Sequence, residues 1–495
     1  MHFPISKSVF YRANRCSKFL FLNFHSPELK DPFPEDRKVL MRKSSEIKKL
    51  GEQLFPGGIK IYKADQALEE SAAITQQKIL ESFDVLYDAV FVYNKLAVTV
   101  DVLKKESGGW VTFEIKNSVR LSPIYIKDLK LVHYVLAHTL SDLIDIRVLT
   151  INPDYILKER INYSLFFNTH SVFSQVKSNP KEIEDQLELI SQILSSNQEP
   201  QVSIGRHCTS PFDCEFLNHC WGDFPDNSVL RISSIPIQDR LELWKKGQQS
   251  IHQIEDVNAF ASNVKNQIIS NLEGKEIVNL EKINLLEKKI KYPVLLFDME
   301  FFSSAVPIIE GTKPFEQIPF AFTSFLVNEK NEILQEKVFV ATPSLNTEEE
   351  IVIQLKDLLA SCSSVMIYDK GMEMSWVRKL KKLRKHSDFI QNWNKPVIDL
   401  YEPIRKGYYY HPEMKGKYSI KQVYQAVFGK DLFENNLISS GLLATYYYQT
   451  LFTETDSKLF EEIMHSLREY SKSDVEALFQ FWRYLKELSI KGAYP

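Results

Sequence analysis

Apolar and polar positions divide the chain into strand-like and helix-like stretches. VYNKLAVTVDVL, residues 92–103, alternates with a period of two and reads as a strand that ends near Asp101. WVTFEIKNS, residues 110–118, alternates in the same way after a turn at Gly108 and Gly109. VLLFDMEF, residues 294–301, follows Pro293 and is the short apolar run expected of a buried strand. Residues 363–380 read strand, turn, helix, and LREYSKSDVEALFQFW, residues 467–482, has helical spacing. Residues 239–256 and 278–291 carry apolar positions at helical spacing, and GDFPDNSVLRISSIP, residues 222–236, reads as a linker. The pattern predicts an α/β protein of two domains, 1–225 and 290–495, joined by a helical connector over 226–289.

Composition narrows the classes. The chain has 495 residues, 44% of them hydrophobic and 25% charged, which excludes a largely disordered protein. With 61 Lys+Arg against 64 Asp+Glu the net charge is −3, so nucleic-acid affinity must come from local patches. No apolar run reaches the ~18–20 residues of a membrane helix. The stretch 19–24, behind Lys7, Arg12 and Arg15, is too short for a secretory signal. A cytoplasmic protein without membrane association is expected, and its five cysteines then point to metal ligation or bystander thiols.

Several residues have spacings that carry chemistry. Glu114 and Lys116, two apart on a strand, share a face, and Asp101 ends the preceding strand. Two carboxylates suit Mg²⁺, and a lysine beside them can orient a water or offset phosphate charge. Cys208, Cys214 and Cys220 are separated by five residues each, and Cys16 lies near the N-terminus. Four thiolates suit an iron–sulfur cluster or Zn²⁺, with His207 or His219 as alternative zinc ligands. Asp298 and Glu300 share a face of a strand, and Tyr470 and Asp474 share a face of a helix. Arg405, Lys406, Lys415, Lys417 and Lys421 are interleaved with Tyr408, Tyr409 and Tyr410, a pattern that could follow phosphates and stack bases, or be a surface loop.

Asp101, Glu114 and Lys116 resemble the motif of the PD-(D/E)XK nucleases, in their RecB-like branch. The resemblance implies a restriction-endonuclease-like fold in which Asp101 and Glu114 bind metal and Lys116 positions the nucleophile. Asp88 matches an earlier acidic residue, also a metal ligand, that the family usually carries on a preceding helix. One early cysteine with three late ones resembles the iron–sulfur RecB-like exonucleases, including those associated with CRISPR adaptation, although the first spacing is wider here. It implies a 4Fe-4S cluster on Cys16, Cys208, Cys214 and Cys220, with Zn²⁺ as the alternative. The glutamine that such nucleases usually carry on the following helix is replaced by Val132, with His133 and Tyr134 out of phase.

Asp298-x-Glu300 followed by Tyr470-x-x-x-Asp474 resembles the DnaQ-like 3′–5′ exonucleases of RNase H-like fold. The resemblance implies that Asp298, Glu300, Glu373 and Asp474 bind Mg²⁺ or Mn²⁺ and that Tyr470 holds the attacking water. Glu373 departs from the usual Asp, with Asp369 at the place of the usual Asn, and Asp399 is a supporting strand-end acid. As a whole the chain resembles a bacterial family that fuses an iron–sulfur RecB-like domain to a C-terminal RNase H-like domain of unknown function. SKSVFYRANRCSKFLFL, LFPGG, HCTSPFDCEFLNHCW, YPVLLFDMEF, PFEQIPF and GKYSIKQV carry that resemblance. It implies a metal-dependent DNA nuclease with two sites. An RNA exonuclease, or a nucleic-acid-binding scaffold with a decayed site, is the alternative.

Overall fold

Two mixed α/β units form around separate sheets in the computed structural model, which describes residues 4–63, 66–177, 179–210, 212–222, 224–225, 227–432 and 436–491. The first unit comprises Met1–Asp223 with Ser304–Glu316, and the second Phe224–Ser303 with Gln317–Pro495. The helical stretch expected to connect two domains therefore groups with the second unit.

The sheet of the first unit contains β1 (Ile5–Ser6), β2 (Ile59–Lys60), β3 (Val85–Tyr93), β4 (Leu96–Glu106), β5 (Gly109–Lys116), β6 (Leu143–Ile151) and β7 (Phe167–Ser171). Its order is β2-β3-β4-β5-β6-β7, with β1 paired to β4. Residues 92–103 are not one strand. Asn94 and Lys95 take left-handed conformations (φ 46° and 62°), so the chain reverses there and β4 runs on past Asp101 to Glu106. Asp88 lies on β3, not on a helix. The pairs Tyr87↔Val102 and Ala89↔Val100 place Asp88 directly opposite Asp101. β5 pairs with β4 as far as Val102↔Phe113 and then leaves it.

The second unit holds β8 (Ile277–Val278), β9 (Val294–Phe302), β10 (Ile318–Val327), β11 (Ile333–Val340), β12 (Ser364–Ile367), β13 (Val397–Asp399) and β14 (Tyr409–Tyr410). Five form a sheet of order β11-β10-β9-β12-β13. β9, β10 and β11 are antiparallel neighbours, and β12 and β13 run parallel to β9. Strand periodicity sorts β9 cleanly. Leu295, Phe297 and Met299 enter a core shared with the helices Thr347–Ser361 and Gly371–Lys382. Val294 and Leu296 enter the opposite core, shared with the helix Ser457–Lys491 through Val475, Leu478 and Trp482. Asp298 and Glu300 continue this second series.

The stretch 222–236, expected as a linker, carries Val229, Leu230, Ile232 and Ile235, each no more than 2% exposed. Residues 239–256 are not one helix: it stops at Lys245, and Gly247 (φ 84°) turns the chain. Farther on, Asn266 donates to the Gly407 carbonyl at 2.8 Å and β8 pairs with β14. These contacts are why the segment belongs to the second unit. Among the described residues no helix is long and apolar enough to cross a membrane.

Gly109 opens β5 at φ 156°, and a Cβ there would stand 2.2 Å from the Asp142 carbonyl oxygen. Both conditions penalise any side chain. Gly109→Ala should destabilise the first unit by on the order of 2 kcal/mol or more, read from urea unfolding of the full chain.

Candidate functional site

The strand β9, the helix Ser457–Lys491 and the helix Gly371–Lys382 build an acidic cleft in the second unit. β12 pairs with β9 only along Val294–Leu296, so β9 outruns its neighbour and Asp298 and Glu300 emerge beyond the paired edge. The long helix supplies Tyr470 and Asp474, one turn apart. Carboxylate oxygens of Asp298, Glu300 and Asp474 lie within 4.8 Å of one another. Glu373, in the first turn of Gly371–Lys382, is 4% exposed, and its Oε2 has no hydrogen-bond partner. The cleft measures ≈ 540 Å³ and is also lined by Tyr368, Tyr418, Lys421 and Tyr470. A Cβ on Gly441 would stand 3.8 Å from the Tyr470 hydroxyl and 4.0 Å from Glu300 Oε2, so this bare helix start leaves the two groups room to share one space.

Burial and mutual repulsion set the charge state of this cleft. Burial raises Asp298 to about 6, with Lys421 opposing. Burial and then Asp298 raise Asp474 to about 8. Burial, Asp298, Asp369 and Asp399 raise Glu373 to about 8. Glu300 is pushed well up by burial, Asp298 and Asp474. Hard oxygen donors with an orphaned buried carboxylate oxygen among them fit Mg²⁺ or Mn²⁺. Asp399 plays a different part. Its Oδ1 accepts from the Asp369 and Tyr401 amides at 3.0 Å each, closing the end of β13.

In the first unit the carboxylates are brought together but are paired with lysines. Ile115, where β5 leaves β4, donates its amide to Asp101 Oδ2 at 2.8 Å. Lys48, on the helix Glu35–Glu52, bridges Asp101 Oδ1 (2.6 Å) and Asp88 Oδ1. Lys60 reaches Asp88 Oδ2 at 3.0 Å. Glu114 is 2% exposed and pairs with Lys116 at 2.7 Å and Lys7 at 3.7 Å. Burial alone would raise the Glu114 carboxyl, but Lys116, Lys7 and Lys48 outweigh it and hold it at about 2. Burial alone would lower the Lys48 ammonium, but Asp101 and Asp88 raise it instead. Val132 is fully buried in the core of the unit. The polar group of its helix that reaches this charge cluster is Asp128, one turn earlier, raised by burial with Lys7 and Lys116 opposing.

Cys16, Cys208, Cys214 and Cys220 line one nearly closed cavity of ≈ 30 Å³, with Arg12, Arg15, His207 and Phe216. Cys16 caps the helix Ser17–His25, its Sγ accepting from the Phe19 amide at 3.4 Å, and Cys208 Sγ accepts from the Gly205 amide at 3.4 Å. His219 does not line the cavity. Among the described residues, no three of these thiols lie within 4.8 Å of one another, whereas ligand atoms of Asp298, Glu300 and Asp474 do. Cys362 is buried in the second unit beside Lys395.

Residues 295–419 match the family model described as Domain of unknown function (DUF2779). That segment includes Asp298, Glu300, Glu373 and Asp399 and ends before Tyr470 and Asp474. No curated protein matches the chain. A solved family B DNA polymerase from the hyperthermophilic archaeon Pyrobaculum calidifontis is similar over 40% of this chain and 25% of the polymerase, at 15% identity and a TM-score of 0.27.

Two of the three tyrosines of the basic cluster are not available to stack bases, while Tyr408 is half-buried. Tyr409 and Tyr410 are at most 1% exposed, because β14 packs into the core beneath the long helix. Lys406 pairs with Glu402 at 2.6 Å and Lys415 with Glu413 at 3.6 Å. Lys421 alone of the cluster lines the acidic cleft. Sequence reading also missed Lys48 and Lys60, which come from segments without a recognisable motif, and gave no site role to Lys7 and Asp128.

Raised carboxyls predict the pH response of the metal-free protein. The folded cleft holds protons that the unfolded chain releases near pH ~4. It therefore binds more protons between pH ~4 and ~8, and stability falls as pH rises through that window. The melting temperature in EDTA should be lower at pH 8 than at pH 5. Mn²⁺ should restore it at pH 8, and Asp474→Asn should flatten both responses.

Proposed function

We propose that the second unit is a metal-dependent phosphodiesterase that removes nucleotides from the 3′ end of DNA. The observation that carries this reading is the convergence of Asp298, Glu300 and Asp474 within 4.8 Å, with the orphaned Glu373 oxygen and Tyr470 in one open cleft. The sheet order, counted from its first long strand as 3-2-1-4-5, supports an RNase H-like fold. Asp298, Glu300, Glu373 and Asp474 would hold divalent ions, which when bound supply water activation and charge neutralisation at the phosphate. Tyr470 orients the attacking water from the helix face above Glu300.

The first unit is read as a second, PD-(D/E)XK-like site, with Asp101 and Glu114 as metal ligands, Asp88 beside them and Lys116 positioning the nucleophile. The buried, partnerless Oε1 of Glu114 supports that reading. Lys48 and Lys60 on Asp88 and Asp101 favour a second one, a binding half whose cutting has decayed. The four-cysteine cavity is read as an iron–sulfur site. Zn²⁺ is the alternative, since four thiolates suit either group. An RNA substrate is the alternative to DNA, and a cytoplasmic location fits free thiols.

End-labelled single- and double-stranded DNA and RNA, incubated with the full chain and Mg²⁺ or Mn²⁺, test the reading. Stepwise shortening from the 3′ end is expected. Asp298→Ala should slow it by more than about a hundredfold, and Tyr470→Phe should slow it while sparing Mn²⁺ binding. Activity that survives Asp298→Ala and is lost in Asp101→Ala would move the chemistry to the first unit. For the cysteines, anaerobically prepared protein should be brown, with a broad visible absorption that Cys208→Ala removes. Colourless protein with stoichiometric zinc would overturn the cluster.

A further inference from the structure

We infer that Lys421 is a catalytic residue of the acidic cleft, its ammonium contacting the phosphate of the bound nucleotide. The inference rests on the metal-dependent reading of that cleft and adds to it the group that recognises the substrate's charge.

Three observations converge on this lysine. Position is the first: Lys421 is the second residue of the helix Ile420–Phe428, which Ser419 caps by accepting from the Gln422 amide. That places its side chain on the cleft wall beside Tyr418 and Ser419. Orientation is the second. Its Nζ lies 4.0 Å from the centroid of the Tyr470 ring and donates to the Ser439 carbonyl at 3.2 Å. A cation over the tyrosine face is held by the ring quadrupole, so the ammonium and the hydroxyl of Tyr470 are carried as one unit. Charge is the third: Lys421 is the one cationic side chain among the described residues lining the cleft that also holds Asp298, Glu300, Glu373 and Asp474.

Charge balance shows what such a cation is for. Asp369, also at the cleft, is exposed to solvent; the other four acids, Asp298, Glu300, Glu373 and Asp474, fully ionised, carry four negative charges. Two divalent ions would cancel them and leave nothing for the phosphodiester's own charge. Lys421 supplies the remaining positive charge, and a lysine provides it as a point charge with three donors, the form suited to a phosphate oxygen. Were it only a counter-charge for folding, the acids would need it most without metal, and its loss would lower the stability of the metal-free protein while leaving monophosphate affinity unchanged.

The test uses the full chain and two substitutions that keep much of the stem, Lys421→Met and Lys421→Gln. Calorimetry measures Mn²⁺ binding first, then thymidine 5′-monophosphate binding at saturating Mn²⁺. Both variants should bind Mn²⁺ at least as tightly as wild type, and the monophosphate about tenfold more weakly. On DNA, kcat should fall about a hundredfold with KM changed far less, because the contact strengthens as charge develops. Unchanged monophosphate affinity, loss of Mn²⁺ binding in the folded variants, or a wild type that binds no monophosphate would each overturn the proposal. A wild type that binds both Mn²⁺ and the monophosphate through Lys421 but cleaves no nucleic acid overturns the catalytic role and the nuclease reading, and keeps the phosphate contact.

Discussion

Carboxyl groups crowded into a buried cleft repel one another and resist ionisation, and the second unit is arranged around that conflict. Nothing in the packing of β9 requires acids at 298 and 300. The strand would continue its Val294, Leu296 series more favourably with apolar side chains. The acids are tolerated because β12 stops short and opens a cleft where β9 runs on. The long helix then adds Asp474 from above rather than a neutralising base. Among the described residues lining the cleft, Lys421 is the one cation, so the carboxyls hold protons that exposed acids would release.

The first unit uses the same geometric device with the opposite electrostatic outcome. There too, strands part where the acids sit: β5 leaves β4 after Phe113, and the Asp101 carboxylate takes the Ile115 amide that backbone pairing no longer reaches. Asp88 and Asp101 face each other across β3 and β4, a like-charge pair that is unfavourable by itself. Lys48 and Lys60 satisfy it, as Lys116 and Lys7 satisfy Glu114. A metal entering this cluster must displace ammonium groups, whereas one entering the second cleft displaces protons.

The cysteine cavity is a matter of chain topology. Cys16 sits at the junction of two helices, and the other three follow the rest of the unit in sequence. Closing so long a loop costs entropy that grows only slowly with length, so bringing Cys16 to the other three costs little more than closing a shorter loop. Arg15 adds to this by donating to the carbonyls of His207 and Phe212, which holds the cysteine loop against the first helix.

The sequence by itself determined what is local. Period-two alternation placed β5 and β9, and i, i+2 and i, i+4 spacing put Glu114 with Lys116, Asp298 with Glu300, and Tyr470 with Asp474 on common faces. Those relations follow from backbone geometry within one element and need no knowledge of its neighbours. The same alternation ran across the turn at Asn94 and Lys95 unseen, because a tight hairpin preserves it. Tertiary structure decided which faces meet. It set Asp88 against Asp101, buried Tyr409 and Tyr410 where a binding surface was expected, and folded 226–289 into the second unit. It also turned Lys48 toward carboxylates 40 and 53 residues away, and Lys421 toward carboxylates 53 to 123 residues away. Long-range electrostatic pairing depends on strand order and helix placement, and no spacing along the chain encodes it.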